Sequence, residues 1–196
     1  MKSYHHGNLQ QALVENAVSL AREKGPAGVV LREVARRAGV SHNAAYRHFA
    51  GRDELIAAVA EVAMSQLEAA MVKKMAPLDN LGPVERTRAR LRETGRAYVH
   101  FALAEPGLFE VAFSQPFGED HEAAGGPYTL LGRVLDEMVE AGAMPAEHRP
   151  GADVVCWSAV HGFSKLHLDG PLRDLPAEER EQLLDNMLLT VERGLR

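Results

Sequence analysis

A chain of 196 residues has room for one large domain or for a small domain joined to a larger one, and with 46% hydrophobic residues it can bury a sizeable core. Only 6% of the residues are aromatic, and an Ala/Leu/Val-rich remainder favours helices over strands, where aromatic and β-branched residues concentrate. The single cysteine, Cys156, excludes an internal disulfide, the net charge of −5 argues against a wholly basic polyanion binder, and no Cys/His spacing fits a structural zinc.

The charge is unevenly distributed. Residues 1–53 hold eight Lys/Arg against four Asp/Glu, a net of +4, and the remainder holds 14 against 23, a net of −9. A basic N-terminal piece on an acidic body is the pattern of a polyanion-binding head. The N-terminus lacks the apolar core of a signal sequence, and no uninterrupted apolar run is long enough to span a bilayer. The expectation is therefore a soluble cytoplasmic protein with no membrane partner.

Asn8, with Gln11 three residues on, fits a capping box that opens the first helix. Leu9, Leu13, Ala17, Leu20 and Ala21 then share one face, and Gly25-Pro26 ends the helix. A short helix over Leu31–Ala38 closes at Gly39, and Ser41 is suited to cap a third helix running to about Phe49. After the break at Ala50–Arg52, a long fourth helix begins at Asp53. Pro77 to Pro83 reads as a linker. Helices are predicted over Val84–Ala104, just after Pro106, and over Tyr128–Ala143, Ala152–Leu168 and Ala177–Leu195, with a Gly-Gly loop from Phe117 to Pro127. No period-two alternation marks a strand. The fold class is all-α, with about nine helices: an N-terminal three-helix head carrying a helix-turn-helix at about 31–50, a long joining helix, and a C-terminal helical body.

The segment GVSHNAAYRHF carries the chemistry. At about 100° per residue, Ala45 and Phe49 share an inward face with Val34 and Val40, while Asn43, Ala44 and Arg47 point away from it. Tyr46 and His48 stand on the flanks. Such a helix suits a DNA major groove, because Asn pairs bidentately with adenine and Arg with guanine. A flanking hydroxyl and imidazole can meet phosphates. The competing structural role for Tyr46 and His48 is to cover the joint with the next helix. His5 and His6, in the upstream YHHGN segment with Tyr4, stand between a solvated leader and a backbone contact.

The pattern LREVARRAGVS…AYRHFAGRDELIAAV resembles the DNA-binding domain of the TetR family of bacterial transcriptional regulators, over residues 8–68. The resemblance implies that the helix from His42 reads the major groove and that Tyr46, His48 and Arg52 contact phosphate. Val30 stands where the family commonly has a capping Ser or Thr, so that cap is expected to be absent, and Arg32 is the candidate substitute for its phosphate contact. The candidate DNA-binding set is Arg32, Ser41, His42, Asn43, Ala44, Tyr46, Arg47, His48 and Arg52.

In the C-terminal body, residues 84–196, Trp157, His161 and Gly162 resemble the W-x-x-x-H-G signature of the WHG-type C-terminal domain of some TetR-family proteins. HFALAEPGLFEVAF, from His100 to Phe113, is similar to the same subgroup. Trp157 and His161 share a helical face, and Gly162 would let a neighbouring helix approach closely. With Tyr98, Phe101, Phe109, Phe113 and Met138 they make a candidate apolar site for an unidentified small-molecule effector. A packed core histidine is the competing role for His161. Specific helix-turn-helix binders are generally dimers on palindromic double-stranded DNA. The last helix offers an apolar stripe, Leu183, Leu184, Met187, Leu188 and Val191, that is either core or, as the resemblance implies, part of a four-helix homodimer interface.

The function this implies is a sequence-specific transcriptional regulator, a ligand-responsive homodimeric repressor. The alternative is a helical ligand-binding or interaction protein whose head no longer reads DNA. No nucleophile motif, phosphate loop or cofactor motif supports an enzyme. Cys156 is expected to be buried and inert, and the histidines are too scattered for a metal site.

Overall fold

The computed structural model describes residues 6–114 and 126–196. Tyr4, His5, the side chains of His6 and Asn8 with the expected capping box, and most of the loop expected from Phe117 lie outside the described residues. Among those described there are nine α-helices and no strand: α1 (His6–Gly28), α2 (Leu31–Arg37), α3 (His42–Tyr46), α4 (Arg52–Met75), α5 (Pro83–Ala104), α6 (Pro106–Ala112), α7 (Pro127–Glu140), α8 (Ala152–Leu168) and α9 (Ala177–Gly194).

The helix ends follow their punctuation. Gly25 takes φ 61°, which interrupts α1 one residue before Pro26. The third helix is shorter than expected and ends at Tyr46, with Arg47 as its C-cap, so that Phe49 lies beyond it. Pro77 does not open a loop directly. It sits in a 3₁₀ turn, Ala76–Leu78, that extends the long fourth helix, because proline lacks only a donor that the first turn of a helix leaves unused.

The chain divides into two compact units. The first comprises the described residues up to Met64 and those from Glu105 to 114; the second comprises Ser65–Ala104 and 126–196. This differs from the division into residues 8–68 and 84–196 expected from sequence, since α6 joins the N-terminal unit. The reason is a backbone contact. A Cβ on Gly107 would lie only 2.0 Å from the Ala21 carbonyl oxygen, so only glycine lets α6 lie this close to α1. Leu108 and Phe109 are then buried in the same unit as Leu13, Leu20, Phe49 and Ile56.

In the second unit α5 packs against α7, α8 and α9. Gly95 permits that packing, as a side chain there would strike Leu188 Cδ2 at 2.6 Å and Val160 Cγ1 at 3.2 Å. Leu131, Val134, Leu135, Met138, Met144 and Leu195 form one buried cluster. The long fourth helix is more apolar than expected. By length and composition the 52–78 stretch could cross a membrane, with a mean hydropathy of 1.6 in its most apolar window. Its buried positions, however, recur on one face, at Leu55, Val59, Ala63, Leu67 and Met71, while Glu61 is exposed. That division is what a helix packed on one side against protein requires.

Gly107→Ala is expected to destabilise the protein by about 1–3 kcal/mol or more, because the blocking atom is backbone and cannot rotate away. Thermal unfolding checks this, with Gly194→Ala, where a Cβ meets nothing, expected to stay within about 0.5 kcal/mol of the wild type.

Candidate nucleic-acid interface and helical cavity

The helix-turn-helix is built by two small devices. Gly39 turns the chain with φ 69°, and Ser41 Oγ accepts the Ala44 N–H at 3.2 Å to cap α3. Ala45 and Phe49 are buried against the core, at 0% and 2% exposure, while His42, Asn43, Tyr46 and Arg47 are exposed. Ala44 and His48 are half-buried. His42, one turn before Tyr46, packs edge-on against it with ring centroids 4.5 Å apart. Val30 caps α2 in an extended conformation without a side-chain hydrogen bond.

Most of the basic charge in this unit is already spoken for. Arg36 grips Glu33 through two bonds of 2.6 and 2.8 Å, and Arg37 grips Glu23 at 2.6 and 2.7 Å. The hydrogen bond from Arg36 holds the Glu33 carboxyl down to about 2. Arg52 is exposed, but its guanidinium donates to the carbonyls of Pro26, at 2.7 Å, and Val29, at 3.2 Å. Arg52 thus ties the start of α4 to the turn between α1 and α2. Arg32 and Arg47 are exposed and make no ion pair among the described residues.

The second unit contains a recess of about 530 Å³ including its open mouth. Its wall takes Leu91, Arg92, Gly95 and Tyr98 from α5, Leu131 from α7, Cys156, Trp157 and Val160 from α8, and Met187, Leu188 and Val191 from α9. The Tyr98 hydroxyl lies 2.9 Å from His161 Nδ1, and the Tyr98 ring meets both Trp157 and His161 edge-on at 6.4 Å. Burial pushes the Tyr98 hydroxyl up, partly offset by a hydrogen bond from Trp157. Burial, helped by Lys165, holds the His161 imidazole down. The Cys156 thiol is pushed up to about 12 by burial, far from the reactive thiolate range.

At the inner end of α9, Glu192 is completely buried. Arg92 Nη1 bonds one carboxylate oxygen directly, Arg196 Nη2 reaches the other at 2.5 Å, and Arg88 Nε lies 3.8 Å away. Burial opposes the charge, but the hydrogen bonds from Arg196 and Arg92 outweigh it and hold the carboxyl below the ordinary glutamate value.

Residues 13–59 match the family profile described as "Bacterial regulatory proteins, tetR family", and residues 91–191 match "Tetracyclin repressor-like, C-terminal domain". The chain belongs to the TetR family of bacterial transcriptional regulators. The second description does not name the W-x-x-x-H-G subgroup. The head is 40% identical over 48 residues to the HTH-type transcriptional repressor Rv3405c of Mycobacterium tuberculosis, a match covering 24% of this chain and 26% of that protein. The match thus spans about a quarter of the length of the curated relatives. A protein of unknown function from Rhodococcus sp. RHA1 superposes with a TM-score of 0.81 at 30% identity, covering 100% of this chain and 99% of the other. A TetR from Acinetobacter baumannii AYE, solved with minocycline, shares the fold at TM-score 0.67 and 16% identity, covering 98% and 96%.

Within this TetR-family fold the expected effector residues do not all meet. Tyr98 and Trp157 line the recess and His161 backs Tyr98; Phe109 of α6 and Phe113, its C-cap, lie in the first unit, with rings 4.8 Å apart. Gly107 is what carries them there. Met138 is fully buried in the α7 cluster, and Phe101 is buried in α5; neither lines the recess. The α9 stripe is corrected too. Leu184 and Leu188 are buried in this chain, and Met187, Leu188 and Val191 line the recess, which leaves Leu183 as the exposed member. Val154, Val155 and Leu166 of α8 are exposed as well. A Cβ on Gly162 meets nothing within 4 Å among the described residues, so no described helix uses the close approach it offers. Sequence reasoning missed Arg92 and Gly95; the i, i+3 pairing of Arg92 with Gly95 on one helical face was the available signal.

Because folding lowers the Glu192 pKa, its stabilisation is present above the ordinary glutamate value of 4.5 and is lost as pH falls through the lowered folded value. Glu192→Gln should cost about 3–5 kcal/mol at neutral pH, as expected for breaking a buried pair, and should flatten the acid limb of stability measured by denaturant unfolding from pH 7 to 3.

Proposed function

We propose that this TetR-family regulator is a repressor that binds a palindromic operator in the bacterial cytoplasm as a homodimer and releases it when a small-molecule effector enters the C-terminal recess. The observation that carries the DNA reading is the division of α3: Ala45 and Phe49 anchor it from below, and Asn43, Tyr46 and Arg47 are exposed on the other side. The head's likeness to a named transcriptional repressor supports repression, and the minocycline complex of a fold relative supports a ligand in the helical body. The homodimer reading draws on the exposed Val154, Val155, Leu166 and Leu183 and on the open face at Gly162. A second copy packed there would bury apolar side chains that this chain leaves in water.

Effector binding can move such a regulator off DNA only through differential affinity for its two states. The alternative, a head that no longer reads DNA, draws on the commitment of Arg36, Arg37 and Arg52 inside the protein. Gel shifts with DNA from upstream of the gene, at two salt concentrations, separate the two: salt-insensitive or absent binding supports the alternative.

Asn43→Ala and Arg47→Ala should each relax base preference by about 1–3 kcal/mol per lost bidentate contact. Arg32→Ala should weaken all sites alike and reduce the salt slope by about one. Quantitative binding to a selected operator and to scrambled DNA measures both; unchanged affinity in all three variants would show that another face holds the DNA. Tyr98→Ala and Trp157→Ala should abolish effector-induced release while leaving operator binding intact.

A further inference from the structure

We propose that the recess between α5, α7, α8 and α9 selects an uncharged, apolar molecule and rejects ligands bearing a carboxylate or an ammonium group. The inference rests on reading this recess as the effector site, and it concerns which chemistry that site accepts.

Among the described residues Arg92 is the one wall residue with a formal charge, and at first sight it is an anchor for an acidic ligand. Its geometry removes it from that role. Nη1 is bonded to the buried carboxylate of Glu192, and Nη2 lies 3.3 Å from Glu85 Oε1. Glu192 cannot yield Arg92 to a ligand without leaving a completely buried carboxylate short of a partner, which is strongly unfavourable. The other polar groups of the described wall are neutral, and two of them are already engaged. Thr94 Oγ1 donates to the Arg90 carbonyl at 2.7 Å, and the Tyr98 hydroxyl is paired with His161. Cys156 and Tyr98 are held in their protonated forms by burial, and His161 is held in its neutral form.

A charged ligand would therefore lose its hydration and find no free counter-charge among the described residues of the wall. An apolar one loses nothing and covers wall carbons that are otherwise open to the recess. Met71 and Met187, on two different helices, give the wall side chains that can re-pack around a molecule of irregular outline.

Trp157 is the only tryptophan in the chain and lines the recess, so its emission reports occupancy directly. The test titrates the full-length protein with 1-octanol, octanoate and octylamine, three molecules that differ only in the charge of one end. Saturable change in Trp157 emission with 1-octanol, and binding at least about tenfold weaker for both ions, is the expected result. Octanoate or octylamine binding as tightly as the alcohol would overturn the selectivity while leaving the recess as a ligand site. No response to any of the three would overturn both the selectivity and the effector reading.

Discussion

A carboxylate sealed from water stays ionised only if cations come to it, and in this protein that requirement organises the C-terminal unit. Glu192, on α9, draws Arg88 and Arg92 from α5 and Arg196 from the chain end. The two helices are thereby pinned in one register. Gly95, one turn beyond Arg92, then allows Leu188 and Val160 to close on the α5 backbone. The recess lies where this packing leaves room, and its one arginine is spent on holding the helices together. Buried ion pairs are weak evidence of net stability, but removing one partner is costly. The cluster therefore fixes how α5 and α9 meet more surely than it raises net stability.

The head shows the same economy of charge. Its net charge of +4 over residues 1–53 already counts the ion pairs within it, and those pairs decide which cations carry that charge. Arg36 and Arg37 neutralise Glu33 and Glu23, and Arg52 stitches α4 to the turn after α1. Arg32 and Arg47 are left for an outside partner. His42, unassigned by spacing, stands edge-on to Tyr46 and limits where that ring can go. A short five-residue helix can present several groups in fixed directions because each is braced from the side or from below.

Much of this was legible before any coordinates. Proline and glycine mark the ends of α5, α6, α8 and α9, since one cannot donate and the other tolerates backbone angles that side chains resist. The inward face of α3 follows from the spacing of Ala45 and Phe49. Less legible were features that depend on who a helix meets. An apolar stripe such as Leu184, Met187, Leu188 and Val191 is written identically whether it faces the same chain or a second copy. Only packing shows that Leu184 and Leu188 are consumed within the chain.

Local spacing and composition determined the all-helical class, the helix-turn-helix and the residues exposed along it, because helical periodicity is set within a few turns of chain. The tertiary structure alone decided that Phe109 is buried with α1 in the first unit, that Arg52 bonds to backbone, and that Arg92 is neutralised by a glutamate 100 residues away. Those are contacts between distant segments. A bare glycine at 107 and a buried carboxylate at 192 settle them through excluded volume and the cost of an unpaired charge, neither of which is visible until the partner is in place.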